Sequence, residues 1–162
     1  LGVVVGGAEG GALPVSQLDL PFDYDPLEEA GVIVGSGVVE LLPADTCMVE
    51  WAMERSRYLA KESCGKCVPC RIGTKRITGL LEGIVSELGV RGDLDVLDEL
   101  AAYVPNGSLC GFGVQAPNSL KTAKRYWPEH FTALIDVQPL PAGIRAPLPV
   151  RSHRFVTKHV LP

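Results

Sequence analysis

The chain has 162 residues, a net charge of −4, 46% hydrophobic residues and 21% charged residues. These proportions suit a globular chain that can bury a core, and the charge leaves no footprint for nucleic acid. No apolar run approaches the roughly 20 residues that span a bilayer, which excludes direct membrane insertion, and no basic-then-apolar secretory signal opens the chain.

The sequence begins Leu1-Gly2-Val3-Val4-Val5, without Met and inside what reads as a strand. The expectation is a fragment of a longer protein. Val3–Val5 runs into the glycine-rich turn Gly6-Gly7-Ala8-Glu9-Gly10-Gly11. Two further β-branched runs, Val32-Ile33-Val34 and Val38-Val39-Glu40-Leu41-Leu42, flank Gly35-Ser36-Gly37. Residues 1–44 therefore read as part of a small sheet. The Gly6–Gly11 loop is read as a structural turn and not a dinucleotide fingerprint, because Pro14 and the polar residues after it supply no helix.

At Asp45-Thr46, either of which can cap a helix, the pattern changes to one carrying Val49, Ala52, Met53, Ser56, Leu59 and Ala60 at three- and four-residue spacing. A second helix is expected from about Arg71, with Ile77, Leu80, Leu81, Ile84, Val85 and Leu88 as its stripe and Gly89 as its end. Asp93 is expected to cap a third, bearing Leu94, Leu97, Leu100, Ala101 and Val104, which Pro105-Asn106-Gly107 ends. A fourth starts near Asn118, breaks at Pro128 and continues through Leu134. Four helices with short connections read as a bundle. Beyond Asp136 the chain is Pro-rich, lacks acidic residues and carries Arg145, Arg151, Arg154 and Lys158. It reads as an extended basic tail. The fold class is thus α+β, in three segments: 1–44, the helical 45–135, and the tail 136–162.

Five cysteines are an odd number, and three fall within seven residues, so a reducing, cytoplasmic setting with a metal site fits better than a disulfide framework. Cys64-x2-Cys67-x2-Cys70 lets three thiolates face one centre, and Cys110 follows after 39 residues in Ser108-Leu109-Cys110-Gly111-Phe112-Gly113. A local triple with a distant fourth cysteine is how [4Fe–4S] clusters are commonly ligated. The alternative is a structural Zn²⁺ site in a helical interaction module, although zinc ligands usually separate two and two. Lys66, Arg71, Lys75 and Arg76 lie in or just after the loop, where cations favour a reduced, anionic cluster. Equally, they could form a solvated helix face. Cys47 reads as a small buried apolar residue. His130, His153 and His159 show no ligand-like spacing and receive no role.

The string Glu62-Ser63-Cys64-Gly65-Lys66-Cys67-Val68-Pro69-Cys70-Arg71-Ile72-Gly73-Thr74 closely resembles the cluster signature of one family. It comprises the NADH- and flavin-binding subunit of respiratory complex I and the diaphorase subunits of NAD-linked hydrogenases and formate dehydrogenases. Ser108-Leu109-Cys110 matches its fourth ligand, and Gly6–Pro14 with Gly35–Val39 resembles its ubiquitin-like β-grasp domain. The resemblance covers residues 1 to about 135. It implies a partial β-grasp segment followed by a four-helix bundle with one [4Fe–4S] cluster on Cys64, Cys67, Cys70 and Cys110. It further implies FMN and NAD(H) in a domain upstream of Leu1, so this stretch is a relay with no catalytic residue of its own. Its implied partners are other iron–sulfur subunits of a multisubunit oxidoreductase, cytoplasmic or membrane-peripheral through those subunits. The basic tail departs from the complex I pattern, which makes a hydrogenase- or formate-dehydrogenase-type partner at least as plausible.

Overall fold

The computed structural model describes residues 1–136 and 142–144. Most of the expected tail, with His153 and His159, lies outside the described residues. Three short strands, β1 (Gly2–Val5), β2 (Gly11–Pro14) and β3 (Val39–Leu42), form an antiparallel sheet in the order β2-β1-β3. Gly2 pairs with Pro14 on one side and with Leu42 on the other. As the central strand, β1 is covered on both faces, and its side chains alternate between two cores. Val4 joins the main core with the helices, whereas Val3 and Val5 join Leu13, Leu27, Ala30 and Val32 in a smaller one.

The glycine-rich loop between β1 and β2 is a structural turn, a 3-10 turn over Gly7–Glu9. The Val32–Val34 run is not a strand, contrary to the sequence expectation. The Val32 amide bonds Leu27 O at 2.9 Å, and the Gly37 amide turns back to Val34 O at 2.8 Å. Burial of Val32, not ladder pairing, is what its β-branched side chain serves there. Ahead of it lies a helix the sequence reading missed, α1 (Tyr24–Glu29), whose Asp23 carboxylate accepts the Tyr24 amide.

Helix α2 (Met48–Glu62) buries Val49, Ala52, Met53, Ser56 and Leu59 of the expected stripe and also Met48, while Ala60 is only half-buried. It starts after Cys47, not at Asp45-Thr46. Helix α3 (Val68–Val85) begins before Arg71, so Cys70 lies in its first turn. It also ends before Gly89, so Leu88, expected in its stripe, lies beyond the helix and is exposed. Glu87, at φ 60, takes the left-handed position, and the Leu88 amide reaches back to Gly83 O at 2.9 Å. In α4 (Arg91–Asn106) Asp93 is not the cap but the third residue, and its carboxylate accepts the Val90 amide at 2.9 Å. The glycine loop after Cys110 contains a short helix, α5 (Gly111–Gln115), followed by α6 (Asn118–Tyr126) and α7 (Pro128–Ile135) on either side of the expected break.

Helix α2 packs on α3, α3 on α4, α4 on α6, and α6 returns to α2. Their shared core includes Met48, Leu81, Ile84, Leu97, Leu120 and Phe131, together with Val4, Ala12 and Leu42 from the sheet. Arg57 of α2 pairs with Glu82 of α3 at 2.9 Å. Thr122 of α6 accepts the Ala12 amide at 3.0 Å, tying β2 to the helices. Gly79, by contrast, faces open space in the middle of α3. Gly79→Ala should therefore stabilise the protein by up to about 1 kcal/mol, through helix propensity alone. Chemical denaturation checks this, and a loss of stability would mean that a partner surface meets Gly79.

One polar pair outside the sequence reading fixes the start of α2. His130 of α7 is buried, and its Nδ1 accepts the Met48 amide at 3.1 Å. Only neutral imidazole can accept there. Burial pushes the His130 pKa down, opposed by Glu129, whose carboxylate lies 3.9 Å from Nε2. The unfolded chain takes up this proton near the ordinary value of about 6.5, while the folded chain resists it. The stabilising contribution is thus complete above about pH 6.5 and is lost as pH falls below it toward the folded value, at up to about 1.4 kcal/mol per pH unit. Denaturation at pH 7.5, 6.5 and 5.5 should show a shallower decline in His130→Asn than in the parent. Equal slopes would refute the assignment.

Candidate metal centre

The four cysteines predicted from spacing occupy the ends of three elements. Ser63 caps the C-terminus of α2, donating its amide to Leu59 O at 3.1 Å. Cys64 follows in the exposed loop. Gly65 adopts φ 79, a left-handed conformation that turns the chain between the first two cysteines at little steric cost. The Arg71 guanidinium holds that turn from behind, donating to Gly65 O at 2.7 Å. Cys67 is the N-cap of α3, and Cys70 is buried in its first turn.

Cys110 lies at the N-cap of α5, exposed at the surface. Both flanks of Cys110 meet the triplet. On one side, the Leu109 amide donates to Cys67 Sγ at 3.4 Å. On the other, a Cβ placed on Gly113 would stand 3.4 Å from Cys70 Cβ and 2.5 Å from Ser108. Only glycine permits that approach. Ser108 is itself held by its hydroxyl, which donates to Val104 O at 2.7 Å.

Hydrogen bonds reach the two inner sulfurs. Besides the Leu109 amide on Cys67, the Ser63 hydroxyl lies 3.4 Å from Cys70 Sγ. The N-terminus of α3, with no side-chain cap, adds the positive end of its dipole. Val68, Ile72 and Leu109 are exposed apolar residues in and beside these cysteine segments. Of the expected cations, Arg71 braces the loop, while Lys66, Lys75 and Arg76 lie at the surface. Cys47 is buried in the main core, as expected.

A zinc ion would draw four sulfurs to about 2.3 Å from one point. A four-iron cube spreads its thiolates more widely, and its donor set is four cysteines, three of them local. The residues present fit that group. Elsewhere, a cleft of about 490 Å³ opens beside α6, lined among others by Tyr24, Glu28, Lys121 and Arg125, and it contains none of the cysteines.

A mostly helical frame with a small antiparallel sheet, bearing a CxxCxxC triplet and a fourth cysteine folded against it, defines an iron–sulfur protein. Residues 50–134 match the NADH-ubiquinone oxidoreductase-F iron-sulfur binding region, and the chain belongs to that family, which carries a [4Fe–4S] cluster. It is 37% identical over 142 residues to the NADP-reducing hydrogenase subunit HndC of Solidesulfovibrio fructosivorans, covering 88% of this chain and 29% of that one. It is 32% identical over 139 residues to the F 2 subunit of NADH-quinone oxidoreductase from Rhizobium meliloti (strain 1021), covering 86% and 33%. Among solved structures, it resembles a chain of an NAD+-reducing [NiFe]-hydrogenase in the H2-reduced state, with a TM-score of 0.75 and 28% identity, over 86% of this chain and 24% of that one. The chain thus spans about a third or less of the length of these relatives.

Proposed function

We propose that this chain relays single electrons through one [4Fe–4S] cluster ligated by Cys64, Cys67, Cys70 and Cys110. The contact of the Leu109 amide with Cys67 Sγ carries the reading, because it brings the segment of the fourth cysteine beside the triplet. When bound, the cluster supplies a one-electron site that needs no bond-making chemistry from the protein. The chain's own residues give it four thiolates, a turn set by Gly65 and Arg71, and hydrogen bonds onto Cys67 and Cys70. Burial of Cys70 keeps water from one side, while exposed Cys64 and Cys110 leave the other near the surface, where electrons can cross to a partner. Lys66, Arg71, Lys75, Arg76 and the α3 N-terminus favour the reduced, more negative state.

The wider setting is proposed by likeness. The relatives' names point to NADH- or NADP-linked oxidoreductases of several subunits. Electrons would come from FMN, reduced by NAD(H) in an upstream domain, and leave to an iron–sulfur partner protein. A cytoplasmic or membrane-peripheral position fits a described structure in which no helix is long and apolar enough to cross a membrane. The sheet of residues 1–44 is proposed to be part of a β-grasp domain, a reading supported by the exposed apolar Val39 and Leu41 on its edge strand. The closed packing of α2, α3, α4 and α6 supports a four-helix bundle within residues 45–135, followed by the tail from 136.

Anaerobic iron and acid-labile sulfide analysis tests the relay, with visible spectra before and after dithionite. About four irons and four sulfides per chain, and a broad band that bleaches on reduction, are expected. One zinc in a colourless protein would overturn it.

A further inference from the structure

Resting on the relay reading, we infer that Ser63 is a side chain that raises the reduction potential of the centre, by donating its hydroxyl hydrogen bond to the Cys70 thiolate. The hydroxyl oxygen lies 3.4 Å from Cys70 Sγ and 3.4 Å from the Gly65 amide nitrogen. These two contacts assign the proton. An amide can only donate, so Gly65 occupies a lone pair on the Ser63 oxygen. A ligating thiolate can only accept, so the single hydroxyl proton goes to Cys70. The result is a directed chain, Gly65 N–H to Ser63 O–H to Cys70 S⁻, in which the first bond polarises the second.

Position makes this bond matter more than others at the site. Cys70 is only 6% exposed, so water cannot replace a lost donor there. Cys64 and Cys110 are exposed, and solvent can serve their sulfurs whatever the side chains nearby. Cys67 receives its bond from the Leu109 backbone, which side-chain replacement leaves in place. Ser63 is held in turn by the fold. Its amide closes the last turn of α2, and the Gly65 turn is pinned by Arg71. The added electron increases the negative charge on the thiolate sulfurs, so a donor at Cys70 stabilises the reduced state more than the oxidised one. The couple moves one electron from donor to centre, with no bond made or broken. Ser63 is therefore a positioning residue that acts through Cys70.

The test is a mediated anaerobic redox titration, followed by the electron-spin signal of the reduced state, on the iron-loaded full chain and its Ser63→Ala and Ser63→Thr variants. Ser63→Ala should keep its iron and shift the equilibrium toward the oxidised state about tenfold, a fall in midpoint of ~59 mV for a one-electron couple. Ser63→Thr, which retains the hydroxyl, should restore the parent midpoint. Full iron content with an unchanged midpoint in Ser63→Ala would overturn the inference and leave the relay intact. Should Ser63→Ala lose iron, the isosteric pair Ser63→Thr and Ser63→Val poses the same question: a lower midpoint in the valine variant supports the assignment, and equal midpoints refute it. A parent chain without a four-iron centre would instead overturn the relay reading, and this inference with it.

Discussion

Cys110→Ser should leave the protein largely without iron. A serine hydroxyl stays protonated at neutral pH and cannot replace the thiolate. The three remaining site cysteines then have to hold the centre alone, with Cys64 in an exposed loop. Iron analysis should show a fall from about four per chain to below about one. Because binding energy at a metal centre is also folding energy, the midpoint of thermal unfolding should fall with it. The loosening should be greatest where Leu109 and Gly113 meet the triplet, since the proposed ligation would act with these contacts to hold α5 to the start of α3. Cys47→Ala is the matched control. Cys47 lies in the core between the sheet and the helices, so that variant should lose some stability and keep its iron. A Cys110→Ser protein with unchanged iron would place the fourth ligand elsewhere.

Gly73→Val should destabilise the protein strongly, although it lies away from the proposed ligands. Gly73 is buried in α3, and a Cβ there would stand 2.3 Å from Val104 Cγ2 in α4. Val104 is fully buried, and its β-branched side chain has little rotamer freedom with which to retreat. The helices must separate, at a cost of roughly 1–3 kcal/mol by analogy with overpacked cores. For a chain of this size that is a fall of about 2–12 °C in the unfolding midpoint. The site should feel the strain as well. Gly73 lies three residues after Cys70, and the Val104 carbonyl accepts the Ser108 hydroxyl just before Cys110. Iron should consequently be lost faster from Gly73→Val than from the parent when both are incubated with a chelator. Equal rates despite a lower melting midpoint would mean that α3 and α4 separate without disturbing the centre, and equal melting would refute the clash itself.

Much of this protein is written in short-range pattern. The spacing of Cys64, Cys67 and Cys70 reads as a cluster-type donor set, because three thiolates two residues apart can reach one centre from a single turn of chain. The stripes of α2, α3 and α4 were legible for a similar reason: apolar residues at helical spacing must face one side. The break at Pro128 followed from a ring that cannot donate an amide proton. Element ends were less legible. Asp45, Asp93 and Gly89 are all reasonable end signals, yet the fold used Cys47, Val90 and the left-handed Glu87. Such signals are worth about 1 kcal/mol, less than the burial they compete with. The same imbalance explains Val32, which has the character of a strand residue but serves a core.

What only the tertiary structure decided are the contacts between residues far apart in the chain. The segment of Cys110 meets the triplet through Leu109, 42 positions from Cys67, and His130 holds the start of α2 from 82 positions away. No periodicity encodes either contact, since each depends on how several packed helices cross. Ser63 is the intermediate case. It adjoins the motif in sequence, yet its bond to Cys70 exists only because α2 ends and α3 begins at that angle. Amino-acid sequence alone determined which thiols are available as ligands, because ligand chemistry belongs to side chains. Packing determined which sulfurs are buried and which receive hydrogen bonds, because those properties depend on the surroundings that folding builds.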